Sequence, residues 1–88
     1  MVSGKVNIKN PAGLHMRPAG RLCEEAMKFS CNIHIEKPGG TYNAKSMLSV
    51  LGACVKAGDQ IGLLCDGEDE AEALEYLTDF MENHLGDI

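Results

Sequence analysis

His15 and Arg17 have types and a setting that could do chemistry, and Ser46 opens a second segment read beside them. The first two lie in Gly13-Leu14-His15-Met16-Arg17-Pro18-Ala19. An imidazole stands there at what reads as a helix start. Pro18 follows three positions on, where a helix tolerates proline because first-turn N–H groups have no intrahelical partner. With His15 as N-cap, Met16 and Arg17 offer free backbone N–H groups and Pro18 offers none. Those donors, the positive end of the helix dipole and the Arg17 guanidinium converge on one place, which suits an anion and phosphate above all. An imidazole nitrogen is nucleophilic when neutral, the ordinary state of histidine above about pH 6.5. His15 is therefore a candidate to carry the phosphate itself. The plainer reading is a surface histidine beside a helix start, since histidine is a weak N-cap, and so short a motif does not decide alone.

Ser46 precedes Met47-Leu48-Ser49-Val50-Leu51. Its plainest role is to cap a short helix, stabilising it by about 1 kcal/mol. Met47, Leu48, Val50 and Leu51 are more apolar side chains than one core stripe needs in five residues. Val50 is expected to face the core and some of Met47, Leu48 and Leu51 to face outward. Such a cluster reads as a partner-docking surface, which Leu14, Met16 and Gly20 would extend around His15. Loose packing in a small domain is the alternative.

The elements that must hold these residues follow from periodicity. Lys5 to Lys9 alternates, with Val6 and Ile8 on one side, as in a half-buried strand. Asn10-Pro11-Ala12-Gly13 breaks it. From Met16 to Phe29, Ala19, Leu22, Cys23, Ala26 and Met27 fall at helical spacing. Gly20 inside this helix costs about 1 kcal/mol relative to alanine, which suggests that something approaches closely there. Cys31, Ile33 and Ile35 alternate with polar residues in a second strand, and Lys37-Pro38-Gly39-Gly40 turns into a short third strand at Thr41 to Asn43. A short helix runs from Ser46 to about Ala53, and a fourth strand covers Gln60 to Cys65. Asp69 and Glu72 form a capping box for a last helix through about Leu85, with Ala71, Leu74, Leu77 and Met81 as its core stripe and Gly86 as its stop. The expected fold is α+β: a two-layer open-faced sandwich of order βαββαβα. Its four-stranded, mostly antiparallel sheet carries three helices on one face, in a single domain over residues 1–88.

Size and charge exclude several classes. Eighty-eight residues make one core. A net charge of −5 disfavours direct nucleic-acid binding. The apolar runs are too short for membrane insertion, and Met1 to Asn10 has no signal pattern, so a cytoplasmic location is expected. The cysteines (23, 31, 54 and 65) are separated by 8, 23 and 11 residues among apolar neighbours. They read as structural thiols rather than as metal ligands or disulfides, and no metal or cofactor is expected. A single imidazole beside Arg17, with no paired general base, nucleotide loop or metal cluster, reads as a carrier rather than an enzyme. His34, His84, Arg21 and Lys45 are expected to be solvated.

With this order of elements, the chain resembles HPr, the histidine-containing phosphocarrier family of the bacterial sugar phosphotransferase system. The resemblance rests on Asn10 to Ala19, on Asn43-Ala44-Lys45-Ser46-Met47-Leu48-Ser49-Val50-Leu51 and on Gly67-Glu68-Asp69-Glu70. It implies that His15 accepts phosphate from phospho-enzyme I and passes it to IIA domains of sugar permeases, with Arg17 holding phosphate oxygens. It also implies that Ser46 is a regulatory site. In low-GC Gram-positive bacteria the matching serine is phosphorylated from ATP by HPr kinase/phosphorylase, and the product acts as corepressor with the catabolite control protein. Lys45-Ser46-Met47-Leu48 is closer to that group's pattern. A shuttle of this kind is simplest as a monomer.

Three positions depart from the family pattern. Ala12 stands where some relatives have serine, and Gly20 replaces alanine or threonine. Cys54 stands where relatives usually have glycine, which implies either backbone strain, if that position has a positive φ, or a helix end rearranged around Gly52. The rival reading is a regulatory HPr-like module acting through Ser46, or a nitrogen-branch phosphocarrier, that does not serve sugar uptake. His15 argues against serine-only paralogues, whose matching position lacks histidine.

Overall fold

Alternating side chains in four short segments build one antiparallel sheet, and the alternation decides which face is covered. The computed structural model describes residues 1–86. Its elements are β1 (Val2–Asn7), α1 (Met16–Ala26), β2 (Asn32–Lys37), β3 (Gly40–Asn43), α2 (Met47–Gly52), β4 (Gln60–Asp66) and α3 (Glu70–Asn83). The strands lie in the order β1-β4-β2-β3. Every pairing is antiparallel, with Val6 opposite Ile61 and Ile33 opposite Cys65 fixing the register. Val6, Ile33, Ile35, Ile61, Leu63 and Cys65 therefore share one buried face. Ala19, Leu22 and Ala26 of α1, Val50 of α2 and Ala73, Leu77 and Met81 of α3 pack into the same core. Lys5, Asn7 and Glu36 point to the open side. The expected open-faced βαββαβα sandwich is the observed one.

Local differences have local causes. The first strand begins earlier than expected because its ladder with β4 reaches Val2 opposite Cys65. Ile8 is buried just beyond the ladder and exchanges bonds with the 58–59 turn, its N–H donating to Asp59 O at 2.9 Å. Helix α1 stops at Ala26, three residues before Phe29, as the N–H groups of Lys28 and Phe29 turn to the carbonyls three residues back. Met27 is consequently 65% exposed rather than part of the stripe.

The last helix differs more. Ala71 is exposed and Leu74 half-buried, and the core stripe is Ala73, Leu77, Phe80 and Met81. The Asp69–Glu72 capping box is absent, because the Asp69 carboxylate accepts from the N–H groups of Ser30 and Cys31, both at 2.9 Å. Glu70 reaches back instead, accepting from the Gly67 N–H at 3.0 Å. The helix ends at Asn83 with His84 as C-cap, before Gly86. The Asp69 bonds pin the start of α3 to the loop that follows α1.

Candidate functional site

The approach to His15 is built by a tight turn pressed against another loop. Gly13 N–H donates to Asn10 O at 2.9 Å, and the Asn10 side-chain amide returns a bond to Gly13 O at 3.0 Å. Gly13 has φ +61°, and a Cβ there would lie 2.6 Å from Val55 O and 2.9 Å from Lys56 Cα. Only glycine fits both the conformation and the space. Leu14 N–H then donates to Val55 O at 3.0 Å, and the Leu14 side chain is 4% exposed. Leu14 was expected on the docking surface. It is instead a core residue that anchors the segment just before His15, because its backbone is tied down to Val55.

His15 is the N-cap of α1, with φ −75° and ψ −175°, and its carbonyl accepts from Ala19 N–H at 2.8 Å. Its exposed imidazole makes no capping bond. Pro18 is buried in the first turn, where it sacrifices no helical bond. The N–H groups of Met16 and Arg17 have no protein partner among the described residues. Two unpaired donors and the exposed Arg17 thus follow the exposed His15 directly in the chain, all at one helix start. That arrangement can receive a phosphate oxyanion next to a nucleophilic nitrogen.

The second helix abuts this site. A Cβ on Gly20 would meet the Met47 Cε and Sδ at 3.8 and 3.9 Å, so Met47 is what approaches the missing side chain. Ser46 caps α2, its Oγ accepting from Ser49 N–H at 3.2 Å. Val50 is buried, Met47 and Leu51 are half-buried against the core, and Leu48 is 82% exposed. Met16 is 72% exposed. Of the residues expected on the docking surface, Met16 and Leu48 are the strongly exposed apolar ones, and Met47 packs beside Gly20.

A family model described as the PTS HPr component phosphorylation site matches residues 2–83. The chain belongs to the HPr family. The HPr-like protein Crh of Bacillus subtilis is 36% identical over 85 residues, covering 97% of this chain and all of Crh. A crystal structure of that Crh superposes with a TM-score of 0.75 at 38% identity, covering 92% of this chain and 93% of Crh, and is described as an intertwined dimer with a swapped domain. The phosphocarrier protein HPr of Buchnera aphidicola is 40% identical over 78 residues, 89% of this chain and 92% of its own. The crystal structure of HPr-C-His from Thermoanaerobacter tengcongensis superposes with a TM-score of 0.93 at 38% identity, covering all of this chain and 99% of that one.

Against the HPr pattern, the third departure has a structural consequence. Cys54 has φ +52°, the left-handed conformation that glycine adopts without penalty. It is also exposed, not lodged among apolar neighbours. Cys31 and Cys65 are buried thiols; burial raises both, Cys65 to about 11. Among the described residues no group of three potential metal ligands occurs, and no helix is long and apolar enough to cross a membrane.

Two expected surface cations are structural ties. Lys45 Nζ donates to Phe29 O at 2.6 Å, and Arg21 lies 5.2 Å over the Phe80 ring while donating to His84 O at 3.0 Å. His84 itself lies 3.5 Å from an Asp79 carboxylate oxygen. Val55 had no signal in the sequence beyond being apolar. Its carbonyl, 40 residues away in the chain, positions His15 through Leu14.

Proposed function

We propose that this HPr-family chain is a phosphocarrier that accepts a phosphoryl group on His15 from phospho-enzyme I and passes it to IIA domains. The observation that carries the reading is an exposed His15 capping a helix start whose Met16 and Arg17 N–H groups are unpaired among the described residues. A neutral ring nitrogen attacks phosphorus, an N–P bond forms, and the bond to the donor breaks with its electron pair leaving on the donor. The phosphate oxygens then meet the Arg17 guanidinium and the two backbone donors. The chain is a substrate of its partners, without turnover of its own. It works in the cytoplasm as a monomer, which light scattering on the purified protein checks.

A second role is regulatory. The similarity to Crh and the exposed Leu48 beside Ser46 support phosphorylation of Ser46 by an HPr kinase/phosphorylase and docking to a catabolite control protein. A phosphate on Ser46 adds charge beside the apolar surface and so changes which partners fit.

The test is intact-mass analysis after incubation with phosphoenolpyruvate and enzyme I, comparing wild type with His15→Ala. One acid-labile phosphate on wild type and none on the variant supports carriage. Unmodified wild type that nevertheless takes an acid-stable phosphate on Ser46 from ATP and an HPr kinase/phosphorylase leaves only the regulatory role.

A further inference from the structure

The last residue of β2 reaches across to the far end of α2. Lys37 Nζ donates to Ala53 O at 2.9 Å and to Cys54 O at 3.2 Å, and lies 3.9 Å from the Asp59 carboxylate. Asp59 in turn accepts from Lys56 N–H at 2.9 Å. A helix end leaves carbonyls without partners, and an ammonium group there meets both the orphan oxygens and the negative end of the helix. Here the same two carbonyls flank the one non-glycine residue held at positive φ among the described residues, Cys54. A single cation therefore bridges the strained turn from above.

That turn is the platform for the imidazole. Val55 follows Cys54 directly, is 4% exposed, and supplies the carbonyl that takes the Leu14 N–H. Gly13 leaves no slack against that carbonyl, since a Cβ there would come within 2.6 Å. A displacement of residues 54 and 55 is therefore passed through Leu14 to His15 rather than absorbed. We infer that Lys37 is a positioning residue for phosphate transfer: it clamps the left-handed turn at Cys54 and so fixes the height and direction of His15 without touching the phosphate. The inference rests on the carrier reading of His15. Cys54 gives the clamp its use, because a non-glycine residue holds this conformation only at a cost that glycine does not have.

The experiment measures steady-state phosphate transfer from phospho-enzyme I for wild type, Lys37→Met, Lys37→Arg, Cys54→Gly and the double variant Lys37→Met/Cys54→Gly. Rates are taken at a temperature where circular dichroism finds every variant folded. Methionine keeps the length of lysine and removes its donors. Lys37→Met is expected to lower kcat about tenfold, a sub-ångström effect beside the roughly hundredfold that a one-ångström misplacement can cost, with KM unchanged. Arginine should restore most of the rate, and Cys54→Gly should rescue Lys37→Met because glycine holds the turn unaided. A wild-type kcat in Lys37→Met, or a loss in KM alone, overturns the inference while leaving the carrier reading intact. A double variant as slow as the single one also overturns it. Wild type that takes no phosphate on His15 overturns both.

Discussion

Gly13→Ala is the perturbation whose cost follows most directly from the geometry. The residue sits at φ +61°, and the added methyl would meet backbone, not a movable side chain, at 2.6 Å from Val55 O and 2.9 Å from Lys56 Cα. Holding alanine in the left-handed region costs about 1–2 kcal/mol. Relieving the clash forces the 13–14 segment away from Val55 and weakens the Leu14–Val55 hydrogen bond, a loss of about 1 kcal/mol. The expected destabilisation is about 2–3 kcal/mol, which for a domain of this size lowers Tm by roughly 10–20 °C. Urea and thermal unfolding followed by circular dichroism measure it. Gly58→Ala is the control, because that residue also has a positive φ, +90°, but nothing lies within 4 Å of a Cβ there. It should lose the conformational part alone. A Gly13→Ala loss below about 0.5 kcal/mol, or one equal to the control, would refute the claim that close packing against Val55 fixes the active loop.

Other outcomes follow from the same contacts. Gly20→Ala places its methyl at ordinary contact distance from Met47, so unfolding experiments should find it more stable by about 0.5–1 kcal/mol. The amides of Ser30 and Cys31 hold the Asp69 carboxyl below its usual range, so its bonds add stability above the unfolded value near about 4 and lose it as pH falls through the folded one. Asp69→Asn should therefore flatten the acid limb of a plot of stability against pH. Leu48→Asp, at a side chain 82% exposed, should leave Tm almost unchanged while raising KM for transfer from enzyme I or to IIA partners. Thiol labelling of the native protein at pH 8 should modify Cys54 first, with Cys31 and Cys65 reacting only on unfolding.

Much of this was legible in the sequence because it is local. Period-two alternation placed Val6, Ile33, Ile35, Ile61, Leu63 and Cys65 on the covered face of the sheet. The Pro18 position and the Ser46 cap marked two helix starts that the structure reproduces to the residue. What failed was set by partners distant in the chain. Asp69 has the spacing of a capping box, yet amides almost 40 residues earlier take its carboxylate, and nothing near Asp69 announces them. Leu14 looked like a surface residue beside His15 because its anchor, Val55 O, lies on a different loop. The strain at Cys54 was foreseeable only as a departure from the family's glycine. The Lys37 clamp over it was not foreseeable, since a lysine at a strand end ordinarily points into water.

The most direct test of carriage is transfer onward in the absence of the donor. The chain is phosphorylated with phosphoenolpyruvate and enzyme I, separated from both, mixed with a purified IIA domain and followed by intact mass. Loss of one phosphate from this chain matched by its gain on the IIA domain, and abolished by His15→Ala, is the expected result. Phosphate that stays on the chain, or that still moves in the variant, would contradict a carrier built on His15.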